Sequence, residues 1–520
     1  MKRFLSLILA TFILATSFSL VGCGASKSDA TVLRICNCED YIDEELITLF
    51  EEETGITVQY STFGTNENLY NELVINPNSY DIVVPSEYMI EKLAEEGRLN
   101  KLDLSKVPSY QANVSQYINQ RLGSVKVDVK EGKYKGEQAP LTDFMVGYMW
   151  GTMGWVYNTE YVTEEQVSTW GGVFEDKSLK EKITIKDAVR DSYLVGLAMV
   201  YKDDLINATS TEDVTKILNR VDQKSIDKVG EKLSSLKPML YGFEVDSGKN
   251  DIVLGNINAY VAWSGDAAYA IDVALGEVED EDGSYVEKTV PLSYKIPDEG
   301  SNIWFDGMVM PAGSDNYDAV YKFMDFISRP ENVATNMNYI GYTSLVAGDT
   351  VYNDVVLDWF DESEDFLQAS TDFLIKEGVS DVSELSQQKF DELLVETGYS
   401  VVDLSYFFGT GGDYKVTVSN EGYGRLMAQY PTIETLNKCA IMQNFDNETL
   451  LSINDMWETV KGETFPVWLI LLVVGIVLLL AVLIVLYRHK EKVKWFKLPE
   501  RKQTSMEKKG YKAIKKKNIL

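Results

Sequence analysis

Histidine is almost missing from this 520-residue sequence: the single one, His489, lies near the C-terminus. Its absence elsewhere excludes Ser-His-Asp and Cys-His catalysis and any histidine-built zinc site from the rest of the chain. A carboxylate-only mechanism, such as glycoside hydrolysis, survives that argument. Cysteine is scarce too, with four residues, Cys23, Cys36, Cys38 and Cys439. Cys36 and Cys38 alternate along a predicted strand and so face opposite sides, which makes them poor disulfide partners. No metal site is read from them. Basic residues are few over most of the length. The whole chain carries 49 Lys and Arg against 80 Asp and Glu, net −31. The last stretch, from Arg488, holds 13 basic and 3 acidic residues, and Cys23–Tyr487 holds 34 basic and 77 acidic. An acidic body repels nucleic acid and attracts cations, besides keeping a surface soluble.

What is present in excess is apolar sequence at both ends. Met1-Lys2-Arg3 precedes an almost unbroken apolar run from Phe4 to Val21, the pattern of a secretory signal. The run closes on Leu20-Val21-Gly22-Cys23, which resembles a bacterial lipobox and implies a signal peptide over 1–22 with lipidation at Cys23. Residues 23–31 are small and polar, as a tether needs. Phe465–Tyr487 is a second apolar run without charge, long enough to cross a hydrocarbon core of about 30 Å. The basic tail 488–520 follows at once, and the positive-inside rule places it in the cytoplasm against anionic lipid. The expected protein sits in the cell membrane, with the bulk of the chain extracytoplasmic.

Between the ends, strand and helix signals alternate. Val32–Cys36 reads as a strand, Tyr41–Glu53 as an amphipathic helix stopped by Thr54-Gly55, and Ile56–Phe63 as a strand. A helix from Asn66, a buried strand over Tyr80–Val84 and a helix over Glu87–Glu96 complete a βαβαβα pattern, which implies a mostly parallel sheet covered by helices. Further strands are expected at Ile183–Ile185, Asn258–Trp263 and Trp304–Met310, a hairpin turn over Val278–Tyr285, and a helix over Asp318–Ser328. Open α/β sheets bind ligands beyond the carboxyl ends of their strands, where this sequence gathers polar and aromatic residues.

The segments NCEDYI, YDIVVPSEYMIEKLAEEGRL, KITIKDAVRD, INAYVAWSGDA, WFDGMVMPAGS, IGYTS and YPTIETLN resemble, in this order, the polyamine-binding family of periplasmic solute-binding proteins. The resemblance implies a two-lobed α/β fold of the type II periplasmic-binding-protein kind with hinge strands, here with a C-terminal transmembrane helix added. One lobe is expected from 32–143 and 307–345, and the other from 146–303 and 426–462. Residues 346–425 have little counterpart and are read as an insertion. Carried over position by position, the ligand-binding set implied is Asp40, Tyr41, Ser86, Tyr88, Asp191, Trp263, Trp304, Asp306, Tyr342 and Gln443. Two departures stand out: the family has Trp where this chain has Cys38, and an acid where it has Ala188.

Those residue types suit a polyamine, a flexible apolar chain with ammonium groups at intervals. Carboxylates such as Asp191 and Asp306 accept charge-assisted hydrogen bonds, and the Trp and Tyr rings offer flat faces to methylenes and cations. The resemblance implies no cofactor, no metal and no catalysis, and an ABC permease in the same membrane as partner. The alternative is a membrane-anchored sensor for an organic cation, working through the transmembrane segment.

Overall fold

The alternation over residues 32–96 folds as the spacing predicts. Strands Val32–Cys38, Thr57–Phe63 and Ile82–Val83 form a parallel sheet in the order second, first, third. Asp43 caps the first helix, Glu44–Thr54, by accepting from the Glu45 amide, and Gly55 ends it at φ 69°, a left-handed turn that a side chain would strain. The helix buries Leu46 and Phe50. Helices Asn66–Ile75 and Glu87–Glu95 follow as expected.

The computed structural model describes residues 31–274 and 290–462, and between them the backbone of two short strands, Glu277–Glu279 and Tyr285–Glu287. Those two pair antiparallel, as the expected hairpin requires, while its turn at Asp282-Gly283 lies outside the described residues. The expected signal peptide, Cys23, nearly all of the tether, the apolar run 465–487 and the basic tail also lie outside them. Among the described residues no helix is long and apolar enough to cross a membrane. The chain divides into two compact units, 1–454 and 455–520. The described residues of the second, 455–462, are a helix end. Everything below concerns the first.

The architecture is two-lobed α/β. A larger mixed sheet is built on strand Val146–Asn158, whose 13 residues are all buried. This strand pairs antiparallel with Ser301–Met308, Ala259–Trp263, Leu292–Lys295 and Thr343–Ser344. Ala259–Trp263 continues into the parallel strands Ile183–Lys186 and Leu240–Glu244. Strand Ser301–Met308 runs out of this sheet toward the smaller one: Val309 bridges Val83 and Asp306 bridges Ser86. The returning chain is then fastened to the first sheet. Phe323 and Phe326 of helix Tyr317–Ile327 meet Phe50 edge-on at 5.1 and 5.5 Å. Asp81, fully buried, accepts from Arg34 Nη2 at 2.8 Å and from Ser314 Oγ at 2.7 Å.

Two sequence expectations shift. The helix expected over Asp318–Ser328 spans Tyr317–Ile327, and Pro330, read as what stops it, opens the next helix, Pro330–Ile340, where its missing N–H costs nothing. The long strand Val146–Asn158 was not read from sequence at all.

Residues 346–425 form helices Ser363–Glu377 and Gln387–Thr397 around Phe366, Phe373 and Leu393, with a hairpin of Tyr399–Asp403 and Lys415–Ser419. The segment leans on the long strand, where Phe407 stacks on the fully buried Trp150 at 5.5 Å.

Candidate functional site

Where the connecting strands leave the larger sheet, their pairing slips. Phe305 faces Trp150 but Gly307 faces Gly147, so Tyr148 and Met149 together oppose Asp306. Such bulges re-aim a side chain. Here Asp306 is turned toward the first lobe, where Tyr41 donates its phenol to Oδ2 at 2.7 Å. Tyr41 stands just past the end of the first strand, its backbone carbonyl held by the Tyr148 hydroxyl. Ser86 is seated by Asn66, which bonds both its amide and its hydroxyl at 3.0 Å.

Rings wall this carboxylate. Tyr41 meets Tyr148 at 5.4 Å and Tyr342 at 5.3 Å, both edge-on, and Tyr342 lies 5.9 Å from Trp304. Two glycines make the room. A Cβ on Gly151 would come within 2.5 Å of the Trp304 ring, and one on Gly265 within 2.4 Å of Tyr342. Gly151→Val is therefore expected to displace Trp304 and destabilise the fold by about 1–3 kcal/mol, read as a lowered thermal midpoint together with weaker ligand binding. An unchanged midpoint would show that Trp304 does not need that space.

The facing wall comes from the larger sheet. Asp191, in the first turn of helix Val189–Val200, accepts from Trp263 Nε1 at 3.4 Å. Asp266, in the first turn of helix Ser264–Ala274, accepts the Tyr342 hydroxyl at 2.9 Å and the Lys186 ammonium at 3.4 Å. Arg190 lies 3.7 Å over Phe445 and 4.9 Å over Tyr88, and Nη2 donates to the Gln443 carbonyl at 2.6 Å. Tyr88 itself donates to Glu67 at 3.1 Å.

Burial shifts both carboxylates in the same direction. Burial pushes Asp306 up to about 6, and the nearby Asp191 charge adds to the rise, while hydrogen bonds from Tyr41 and Ser86 oppose it. Burial likewise pushes Asp191 up to about 6, against the Trp263 hydrogen bond and the charges of Lys186 and Arg190. Among the described residues Asp306 has no cationic partner, although it is only 7% exposed. A buried carboxylate ringed by phenols and indoles is built to receive a cation.

The structure brings nine of the ten expected residues, by side chain or backbone, into one connected cluster, in differing roles. Tyr41, Ser86, Tyr88, Asp191, Trp263, Trp304, Asp306 and Tyr342 contribute side chains. Gln443 contributes its carbonyl to Arg190, and its side chain is exposed. Asp40 stays apart: it is exposed in a left-handed turn at φ 51° and makes no hydrogen bond or ion pair among the described residues. Cys38 stands at this cleft where the resemblance implies a Trp; burial, then the Asp306 charge, holds its thiol neutral. Cys36, Cys38 and Cys439 are all free thiols. Asp266, Lys186 and Glu244 were not read as site residues. Asp266 lies in the first turn of helix Ser264–Ala274, just past the carboxyl end of strand Ala259–Trp263, and that position offered a signal.

The sequence profile described as bacterial extracellular solute-binding protein matches residues 45–350, more than half of the chain. The chain belongs to that family. Among its relatives, the spermidine/putrescine-binding periplasmic protein of Salmonella typhimurium is 26% identical over 66% of this chain and 84% of its own length. The putrescine-binding periplasmic protein PotF of Escherichia coli is 28% identical over the same shares. Among solved structures, the spermidine/putrescine ABC transporter substrate-binding protein PotD of Streptococcus pneumoniae superposes with a TM-score of 0.52 at 26% identity, over 83% of this chain and 99% of that one. The solute-binding fold thus rests on sequence and structure together.

Proposed function

We propose that this solute-binding protein is the extracytoplasmic receptor of an ABC-type polyamine uptake system. It captures its ligand in the acidic, aromatic cleft and delivers it to a permease in the same membrane. The observation that carries this reading is Asp306: a buried carboxylate with no cationic partner among the described residues, walled by Tyr41, Trp304 and Tyr342. An ammonium would pair with it while the ligand's methylenes lie on the rings. The names of the relatives, for spermidine and putrescine, support the same class. The role is binding, not catalysis.

In this reading one lobe is 32–143 with 307–345, the other is 146–303 with 426–462, and 346–425 is an insertion. Closure of the two on the ligand is favoured because each contributes contacts. Lipid on Cys23 and the apolar run 465–487 would hold the receptor beside its permease, leaving the basic tail in the cytoplasm.

A second reading has one observation in its favour. Arg190 is buried and its Nη1 has no hydrogen-bond partner among the described residues, which suits a ligand that also carries an acceptor, such as a zwitterionic amino acid. Calorimetry of the purified protein with spermidine, putrescine, spermine, cadaverine and arginine separates the two. One-to-one binding of one or two polyamines with arginine silent is the expected result. Arginine alone binding would replace the polyamine reading with the zwitterion one.

A further inference from the structure

The cleft already contains an ammonium. Lys186 is the last residue of strand Ile183–Lys186 and is 1% exposed. Its Nζ donates to the Val245 carbonyl at 2.7 Å, lies 3.4 Å from Asp266 Oδ2 and 3.8 Å from Glu244 Oε1, and sits 4.1 Å over the Trp263 ring. Two carboxylates, one carbonyl and an indole face are the acceptors a ligand's ammonium would require. Lys186 occupies them from within the chain, by hydrogen bonds to the Val245 carbonyl and Asp266 and by charge alone to Glu244 Oε1, which has no hydrogen-bond partner among the described residues.

The two ends of the cleft therefore differ. At Asp306 the carboxylate is bonded by neutral hydroxyls alone. At Asp266 the carboxylate has Lys186 at 3.4 Å, Lys249 at 4.0 Å and the Tyr342 phenol at 2.9 Å. We propose that Lys186 is a specificity-determining residue, a tethered cation that fills one ammonium position of the cleft and so limits the charged ends its ligand can seat. The inference rests on the polyamine reading of the cleft. The chain supplies one ammonium itself, and the ligand supplies the one that meets Asp306. A merely structural ion pair would have the same geometry, but it would leave the ranking of ligands untouched when removed.

The test compares n-butylamine, putrescine and spermidine, with one, two and three ammonium-forming nitrogens, by calorimetry on the full chain. For the unmodified protein n-butylamine is expected within about tenfold of putrescine, because the second ammonium finds its acceptors taken. Lys186→Met keeps the apolar stem over Trp263 and frees Asp266 and Glu244. In it the preference for putrescine and spermidine over n-butylamine is expected to grow by at least about tenfold. An unchanged ranking in Lys186→Met overturns the proposal, as does rejection of n-butylamine by about a thousandfold in the unmodified protein. If Lys186→Met does not fold, the comparison on the unmodified protein decides alone. If the unmodified protein binds none of the three, the polyamine reading fails separately, and Lys186→Ala tests the tethered cation without it. Propylammonium, and not propanol, should then raise the thermal midpoint of Lys186→Ala, and equal effects of the two would overturn the role of the charge.

Discussion

Replacing Asp306 with Asn is expected to weaken ligand binding by roughly 2–5 kcal/mol, a loss of about 30- to 5,000-fold. The side chain keeps its shape and an oxygen for the Tyr41 phenol, so the 2.7 Å hydrogen bond has a neutral substitute. What disappears is the charge. A ligand ammonium entering the ring of Tyr41, Trp304 and Tyr342 would be stripped of water and left without its counterion. The unliganded protein should be no less stable, because the same burial that pushes Asp306 up to about 6 disfavours its charged form. The measurement is a paired one, calorimetric affinity and thermal midpoint on the same preparation. An unchanged affinity with an intact fold would remove Asp306 from the site.

Acidification should have a comparably large effect, with opposite signs on affinity and stability. Asp306 and Asp191 both stand near 6 when folded, against an ordinary carboxylate value of 3.8. A folded value raised above the unfolded one means that the native state holds the extra protons between those limits. Stability of the unliganded protein should therefore fall as pH rises from about 4 to about 6, by about 3 kcal/mol at most for each carboxyl, and stay level above. A cationic ligand needs each carboxylate that it engages to be charged, Asp306 first. Its affinity should be flat above about pH 7 and drop by about tenfold per pH unit below 6 for each carboxylate it engages. Thermal midpoints recorded from pH 4 to 8, with and without ligand, display both trends. A ligand-induced shift that is the same at pH 5 and pH 7.5 would mean that neither carboxylate pairs with the ligand.

Much of this was legible in the sequence, for local reasons. Thr54-Gly55, the Pro85-Ser86 turn and the apolar spacing of Leu46 and Phe50 carry their own backbone instructions, and the strands and helices up to Glu95 follow them. Asp306 and Trp304 were found through the resemblance. The long strand Val146–Asn158 was not found. Gly147, Gly151 and Gly154 interrupt its β signal, and their purpose appears only once Leu345, Trp304 and Tyr294 are seen packed against them. Lys186 was equally hidden. A lysine at a strand end reads as a solvated charge, and only the fold brings Glu244 and Asp266, far along the chain, to its ammonium. Asp40 erred the other way: its neighbour Tyr41 enters the cleft, while the left-handed turn leaves Asp40 exposed.

The contact of Phe50 with Phe323 and Phe326 has a consequence for how the chain is made. Phe50 is among the first core residues to be synthesised, and its packing partners come roughly 270 residues later, about 14 to 55 s at ordinary translation rates. High separation between contacting segments slows folding and prolongs exposure of apolar faces that await their partners. Phe50 is such a face for as long as Phe323 and Phe326 are still to come.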